Sequence, residues 1–329
     1  MEEAQIKVTD LCKNFKTYKR EAGFLEMVKS FIKRDYVIKN AVKNINFEIN
    51  AGERVALIGP NGAGKSSTVK MLTGILEPTS GSVRVLGSDP FKERSKVVRN
   101  YGVIFGQKHN LWWDVPAIDS YHLFKAMYDI SDDDFRKRLK VVRNNLGIKD
   151  YLKTPVRKLS LGERMRCELG LIFMHNPKIV FLDEPTIGVD VVGKKKISDF
   201  LLRINKKFNT TILFTSHDMG DVDKICKRAI IINEGCVIFD GKISHLKKEY
   251  VDSKTLHLKF NKPLEQKTIF DKEIEKIGTS TYRLIFEKTE SVSAFLRKVL
   301  GDESKEVIDI RIIEADLNEI IRNIFEGKT

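Results

Sequence analysis

The chain has 329 residues, room for two domains, and 42% hydrophobic against 31% charged residues, which excludes a disordered or collagen-like chain and permits a buried core. No run approaches the roughly 18 consecutive apolar residues of a membrane-crossing helix. Lys plus Arg outnumber Asp plus Glu by 58 to 45, a formal net charge of +13, which favours an anionic partner without choosing among nucleotide, nucleic acid and acidic lipid.

The opening residues, MEEAQIKVTD, lack a basic stretch followed by an apolar one, so no secretory signal is read and a cytoplasmic location is expected. An alternating segment, Ile6 to Thr9, is followed further on by two strand-like runs, Ile45 to Ile49 and Arg54 to Ile58. Between them, residues 16–40 hold seven Lys or Arg and three Asp or Glu, with Phe24, Leu25, Val28, Phe31 and Ile32 at helical spacing. That pattern predicts a basic amphipathic insertion, suited either to an anionic lipid surface or to packing on the protein's own sheet.

From Val55 onward, apolar runs alternate with helical patterns: Val55 to Ile58, Val103 to Phe105, Ile179 to Leu182, Thr211 to Thr215, Ala229 to Ile232 and Cys236 to Phe239. The alternation predicts an α/β core with a parallel sheet. Residues 112–165 interrupt it with helical patterns and few strand signals, a helical subdomain. After residue 245 the texture shifts to Lys-rich turns around Thr255 to Phe260, Tyr282 to Phe286 and Val307 to Ile313, with a last helix over Asp316 to Phe325. The expected division is a nucleotide-binding domain over 1–245 and a small C-terminal α+β domain over 246–329. Cys12, Cys167, Cys226 and Cys236 are scattered, with no metal or redox spacing, and read as reduced thiols.

The sharpest motif is Gly59-Pro60-Asn61-Gly62-Ala63-Gly64-Lys65-Ser66, which fits G-x-x-x-x-G-K-[ST] between the strand VALI and a helix running from Ser67 to Leu72. Glycines let backbone N–H groups converge on phosphate oxygens, and the helix N-terminus adds partial positive charge. Lys65 reaches the terminal phosphates and Ser66 can ligate Mg²⁺. Downstream, Ile179 to Leu182 ends in Asp183 and Glu184. At the C-terminal end of a strand, the first carboxylate can hold Mg²⁺ through water and the second can orient or deprotonate an attacking water.

With these two motifs in place, the chain resembles the ATP-binding subunits of ATP-binding-cassette (ABC) transporters over about residues 4–245, a phosphate-loop NTPase fold with a mixed sheet and a helical subdomain. Leu159-Ser160-Leu161-Gly162-Glu163 resembles the signature segment, usually LSGGQ, 23 residues before Asp183. Ser160 and Gly162 match, whereas Leu161 replaces a glycine and Glu163 the usual glutamine. Gln107 resembles the Q-loop glutamine that senses Mg²⁺ and the γ-phosphate. Glu184-Pro185-Thr186-Ile187-Gly188-Val189-Asp190 is similar to EPTSGLD, and Asp190 is its D-loop residue. Thr215-Ser216-His217-Asp218 resembles the switch-histidine segment, with His217 toward the γ-phosphate. For the adenine platform, Tyr36, 23 residues before Gly59, is preferred over Phe15 in DLCKNF.

The resemblance implies an ATPase using ATP and Mg²⁺, with two copies facing head to tail so that the phosphate loop of one is completed by Ser160, Gly162 and Glu163 of the other. It implies a separate integral-membrane permease and a place on the inner face of the cell membrane; one cassette with a C-terminal addition is similar to the ATPases of drug-resistance and polysaccharide exporters. Trp112 and Trp113 fall where the family docks its permease, or else pack a core. The C-terminal domain would serve regulation or dimerisation. The rival reading is a soluble ATPase of the family acting on nucleic acid or ribosomes, which the +13 charge keeps alive. Against it, chromosome-type members split the cassette around a long coiled coil and translation-type members carry two cassettes, whereas 118 residues separate Lys65 from Asp183 here. An ordinary phosphate-loop kinase would need neither Leu159 to Glu163 nor Asp190.

Overall fold

Four apolar runs without polar alternation, β3 (Arg54–Ile58), β6 (Ile179–Asp183), β7 (Thr211–Thr215) and β8 (Arg228–Asn233), form the interior of one sheet. Strands covered on both faces need apolar residues at successive positions, and that is the pattern they carry. In the computed structural model, which describes residues 4–18, 36–106, 109–250, 253–264, 266, 268–287, 290–302, 306–313 and 317–326, the order of this sheet is β5-β6-β7-β3-β8-β9, with β5 at Tyr101–Phe105 and β9 at Cys236–Lys242. The first five strands run parallel and β9 returns antiparallel to β8, so the sheet is mixed and not wholly parallel.

A second, antiparallel sheet has the order β2-β1-β4, from β1 (Ile6–Tyr18), β2 (Tyr36–Ile49) and β4 (Ser80–Val85). Ile6, Val8, Leu11, Val42, Ile45, Phe47 and Ile49 bury one face of it in a core shared with Val55, Leu57, Val69, Leu72, Phe181 and Leu213. The alternating segment at Ile6 is therefore the beginning of a much longer strand. Residues 16–18 and 36–40, expected inside the basic amphipathic insertion, belong to β1 and β2, because the two backbones pair from Asn14↔Asn40 to Tyr18↔Tyr36. The apolar set Phe24 to Ile32 lies outside the described residues.

The helices in chain order are α1 (Lys65–Leu72), α2 (Arg94–Val98), α3 (Ala117–Met127), α4 (Asp132–Leu146), α5 (Leu161–Ile172), α6 (Val191–Phe208) and α7 (Met219–Ile225). The interruption in the strand pattern is α3, α4 and a 3-10 turn at Val156–Lys158, followed by α5. Sequence chemistry bounds α4 closely. Ser131 caps its N-terminus by accepting from the Asp134 N–H, three aspartates face the helix dipole in the first turn, and Gly147 ends it in a left-handed conformation.

The described chain divides into two compact units, 1–242 and 243–329. The second contains α8 (Ile243–Tyr250), β10 (Ser253–Phe260), the short strands β11 (Thr268–Ile269), β12 (Lys272–Glu273) and β13 (Glu275–Lys276), then β14 (Thr281–Glu287), α9 (Val292–Leu300), β15 (Val307–Ile313) and α10 (Leu317–Glu326). Its sheet order is β13-β14-β10-β15. Leu256, Leu258, Phe260, Tyr282, Leu284 and Phe286 bury one face against Phe295 and Val299 of α9.

Candidate nucleotide-binding site

The loop between β3 and α1 is shaped around closely approaching backbone. A Cβ on Gly59 would come within 2.2 Å of the Ile232 carbonyl oxygen, and one on Gly64, at φ +109°, within 2.5 Å of the Ala41 oxygen. Only glycine satisfies both positions. Lys65 opens α1 but folds back, its buried ammonium donating to the Gly59 carbonyl at 2.6 Å and the Pro60 carbonyl at 3.1 Å. Burial pulls its pKa below the usual lysine value, while the nearby carboxylates of Glu184 and Asp183 oppose that shift. A buried cation on the loop's own carbonyls, beside backbone that tolerates no side chain, suits a chain of phosphate oxygens. Asn61, Gly62 and Ser66 are exposed on or next to the same loop, Ser67 is half-buried, and Ala63 is buried.

The strand register brings the second motif beside the first. Asp183 pairs in register with Phe105 of β5 and Thr215 of β7, and Ala56 of β3 with Phe214. The Thr215 hydroxyl donates to Asp183 Oδ1 at 2.6 Å and accepts from the Glu184 N–H at 3.0 Å. Glu184 sits at φ +56°, an uncommon conformation for a residue with a side chain. This turn carries its carboxylate to His217, whose Nε2 lies 2.6 Å from Glu184 Oε1, the geometry of an imidazole N–H donating to a carboxylate. Behind His217, Asp218 caps α7 through the Gly220 and Asp221 N–H groups and binds Lys194 of α6 at 2.5 Å. Thr215 stood in the motif without a role. Its place as the hub between Asp183 and Glu184 depends on β6 and β7 being neighbours.

Ser160 is the N-cap of α5, in a capping box: its Oγ accepts from the Glu163 N–H, and Glu163 Oε2 accepts from the Ser160 N–H at 2.9 Å. Gly162 packs against Val189, and Asp190 caps α6 by accepting from the Gly193 N–H at 2.9 Å. Signature segment and D-loop are thus in contact within one chain. Gln107 lies outside the described residues. Just beyond it, Asn110 and Leu111 donate their backbone N–H groups to Glu168, buried on α5, so the segment after Gln107 is tied to the helix that Ser160 begins. Glu168 was not among the candidates from sequence; a carboxylate five residues past Glu163 has no local pattern that marks it.

Trp112 and Trp113 are 57% and 48% exposed, so they are not core residues. Trp113 stacks on His109 and lies under the Arg164 guanidinium. Phe15 has the Lys13 ammonium 5.4 Å from its ring centroid, and its backbone pairs with Lys39. The backbone of Tyr36 pairs with Tyr18 three rungs further along the same hairpin.

Among the described residues no group of three His, Cys, Asp or Glu converges at metal-binding spacing. Mg²⁺ needs no such cage, because it is held by one or two protein ligands plus substrate phosphates. Asp183 has one oxygen engaged by Thr215, and Ser66 presents an exposed hydroxyl at the start of α1. These residues fit that ion.

A glycine cradle, a buried lysine at a helix start and strand-end carboxylates define a phosphate-loop nucleotide-binding domain. Residues 42–187 match the ABC transporter family. The chain is similar to ABC transporter ATP-binding protein NatA of Bacillus subtilis, 31% identical over 66% of this chain and 88% of the relative. It is 33% identical to energy-coupling factor transporter ATP-binding protein EcfA2 of Clostridium perfringens, over 78% of this chain and 91% of the relative. Linearmycin resistance ATP-binding protein LnrL of Bacillus subtilis is 32% identical over 64% and 67%. Among solved structures, cbiO1 of Clostridium perfringens, part of an ABC transporter complex, is 26% identical with TM-score 0.61, covering 75% of this chain and 92% of that one. The dimeric post-hydrolysis cassette MJ0796 bound to ADP and Pi shares the fold, 24% identical with TM-score 0.60 over 72% of this chain and 98% of that one. The chain belongs to the ABC transporter family as an ATP-binding subunit, and its cassette is an ATPase.

Proposed function

We propose that this subunit powers export through a separate membrane permease by closing with a second copy, head to tail, on ATP and reopening after hydrolysis. Residues 59–67 hold the phosphates, with Lys65 on the terminal ones and Tyr36 against adenine. Ser66, Gln107 and Asp183 hold Mg²⁺, which when bound neutralises charge on the transferred phosphoryl group. Glu184 orients the attacking water and accepts its proton. His217 holds the Glu184 carboxylate and faces the γ-phosphate. Phosphoryl transfer asks mainly for such positioning and charge compensation. Ser160, Gly162, Glu163 and Asp190 complete the partner's site. Differential contact with intact and cleaved nucleotide then shifts the population between closed and open dimers.

The observation that carries this reading is the Glu184–His217 pair at 2.6 Å, set beside Asp183 and within electrostatic reach of Lys65. Among the described residues no helix is long and apolar enough to cross a membrane, which supports a permease in another chain. The exposed Trp112 and Trp113, on the segment following Gln107, are the proposed permease contact, and the subunit would lie on the inner membrane face. Export rests on the likeness of one cassette plus a C-terminal addition to drug-resistance and polysaccharide-export ATPases, with LnrL among the relatives.

The test is Glu184→Gln with saturating ATP and Mg²⁺, followed by sedimentation. A stable dimer that needs ATP and is lost on adding Ser160→Arg is the expected result. A monomer under saturating ATP overturns the two-copy site.

A further inference from the structure

The two edges of the C-terminal sheet are built differently. β13 is two residues long and charged, Glu275–Lys276, which blunts that edge. The other edge, β15, is seven residues, Val-Ile-Asp-Ile-Arg-Ile-Ile, with no proline and no lysine. It pairs with β10 on one side, and no strand of the described residues lies beyond it. A long β-branched strand at a sheet edge is a template for another strand.

Its two faces fix the kind of strand that fits. Ile310 and Ile312 stand opposite the buried Leu258 and Leu256, on the core face of the sheet, yet they are 36% and 55% exposed, and Ile308 is 55% exposed. Asp309 and Arg311 project from the opposite face, where Arg311 Nε donates to Asp309 Oδ2 at 3.0 Å along the same strand. Residues 308–312 read Ile-Asp-Ile-Arg-Ile, which is its own reverse with the charges exchanged. Antiparallel pairing about a two-fold axis through Ile310 therefore sets Asp309 against the second copy's Arg311, and Arg311 against its Asp309. It also sets Ile308 against the second copy's Ile312, and Ile310 against its own counterpart.

We propose that β15 is an isologous dimer contact, joining the four-stranded C-terminal sheets of two copies into one continuous sheet. Such a pairing closes roughly four to six backbone hydrogen bonds, satisfies both charges twice and extends the isoleucine row across the axis. A strand from an unrelated protein would have no need to answer Asp309 with Arg and Arg311 with Asp in that spacing. Self-complementarity is what selects a second copy as the occupant.

The test uses the full chain without nucleotide, so that it is read apart from the ATP-dependent association above. Sedimentation of the wild type is expected to show a concentration-dependent dimer. Asp309→Arg and Arg311→Asp each place like charges opposite one another twice, and each is expected to weaken that dimer by about tenfold or more. Mixing the two variants restores association as a heterodimer, because one copy then presents two guanidinium groups to the other's two carboxylates. A role within one chain could not produce that rescue. In a Cys236→Ser background, Ile310→Cys is expected to cross-link to itself on oxidation, whereas Ile285→Cys, exposed on β14, does not. A wild type that stays monomeric, single variants that dimerise normally, or a mixture no better than its components overturns the proposal. ATP-induced dimerisation of Glu184→Gln carrying Asp309→Arg would persist in every one of these cases, which separates this contact from the nucleotide sandwich.

Discussion

Leu161 lies directly over Gly188: a Cβ on that glycine would come within 2.3 Å of Leu161 Cδ2, and Gly188 itself sits at φ +65°. The signature segment and the turn after Glu184 are thereby seated on one another. The leucine that departs from LSGGQ fills space above a residue that has no side chain. Gly188→Ala should cost about 1–2 kcal/mol, from the left-handed backbone and the displaced leucine together. Adding Leu161→Ala should recover only the second part, since it cannot relieve the backbone. Urea denaturation of the two variants checks this; complete recovery would mean that the backbone conformation carries no cost.

Thr215 joins the Asp183 carboxylate to the backbone N–H of Glu184 through a single hydroxyl. Thr215→Val keeps the shape of the buried side chain but removes both hydrogen bonds, leaving the Glu184 N–H only the Thr215 carbonyl oxygen at 3.1 Å. A loss of about 1–3 kcal/mol in stability is expected from the Asp183 oxygen left without the Thr215 donor, with ATP turnover falling about tenfold or more through misplaced carboxylates. Thr215→Ser should restore turnover. An unchanged kcat in the valine variant would count against Thr215 as a positioning residue.

His175 gives the cassette an acid limit. Its Nε2 lies 3.1 Å from the Tyr101 carbonyl oxygen, its ring stacks on Tyr128, and its buried Nδ1 has no partner among the described residues; burial lowers its pKa to about 4. Below the unfolded value near 6.5 the unfolded chain takes up a proton that the folded one refuses. Stability is therefore whole above about pH 6.5 and falls as pH drops toward 4, by up to about 3 kcal/mol. His175→Gln should flatten that part of the curve measured by chemical denaturation, and an unaltered slope would refute the assignment.

Glu168 predicts a local effect. Truncation to Ala strands the Asn110 and Leu111 N–H groups beside a buried site, whereas Gln retains an oxygen to receive them. Hydrogen exchange at residues 110–111 should accelerate about tenfold or more in Glu168→Ala and much less in Glu168→Gln. ATP turnover should fall in the same order, because this segment closely follows Gln107.

Much of the cassette was legible in the chain. The motif from Gly59 to Ser66 names its own structure because phosphate binding demands glycine at close-approach positions and a cation at a helix start. Capping chemistry is equally local: Ser131 with Asp134, and Ser160 with Glu163, lie three residues apart. The basic segment around residues 16–40 was harder. Its ends read as part of an amphipathic helix by composition, yet Thr17 and Val37 are strand partners, a relationship between residues twenty apart that periodicity within one stretch cannot register.

Chemistry needing one peptide segment could be read from residue order, since chain geometry alone brings those atoms together. Relations that join segments were set only when the sheet formed. Thr215 became the hub between Asp183 and Glu184 because β7 was laid beside β6, and Glu168 became an anchor because α5 was packed against residues 110–111. Burial and strand order are collective outcomes of the whole core, and no single stretch of the chain encodes them.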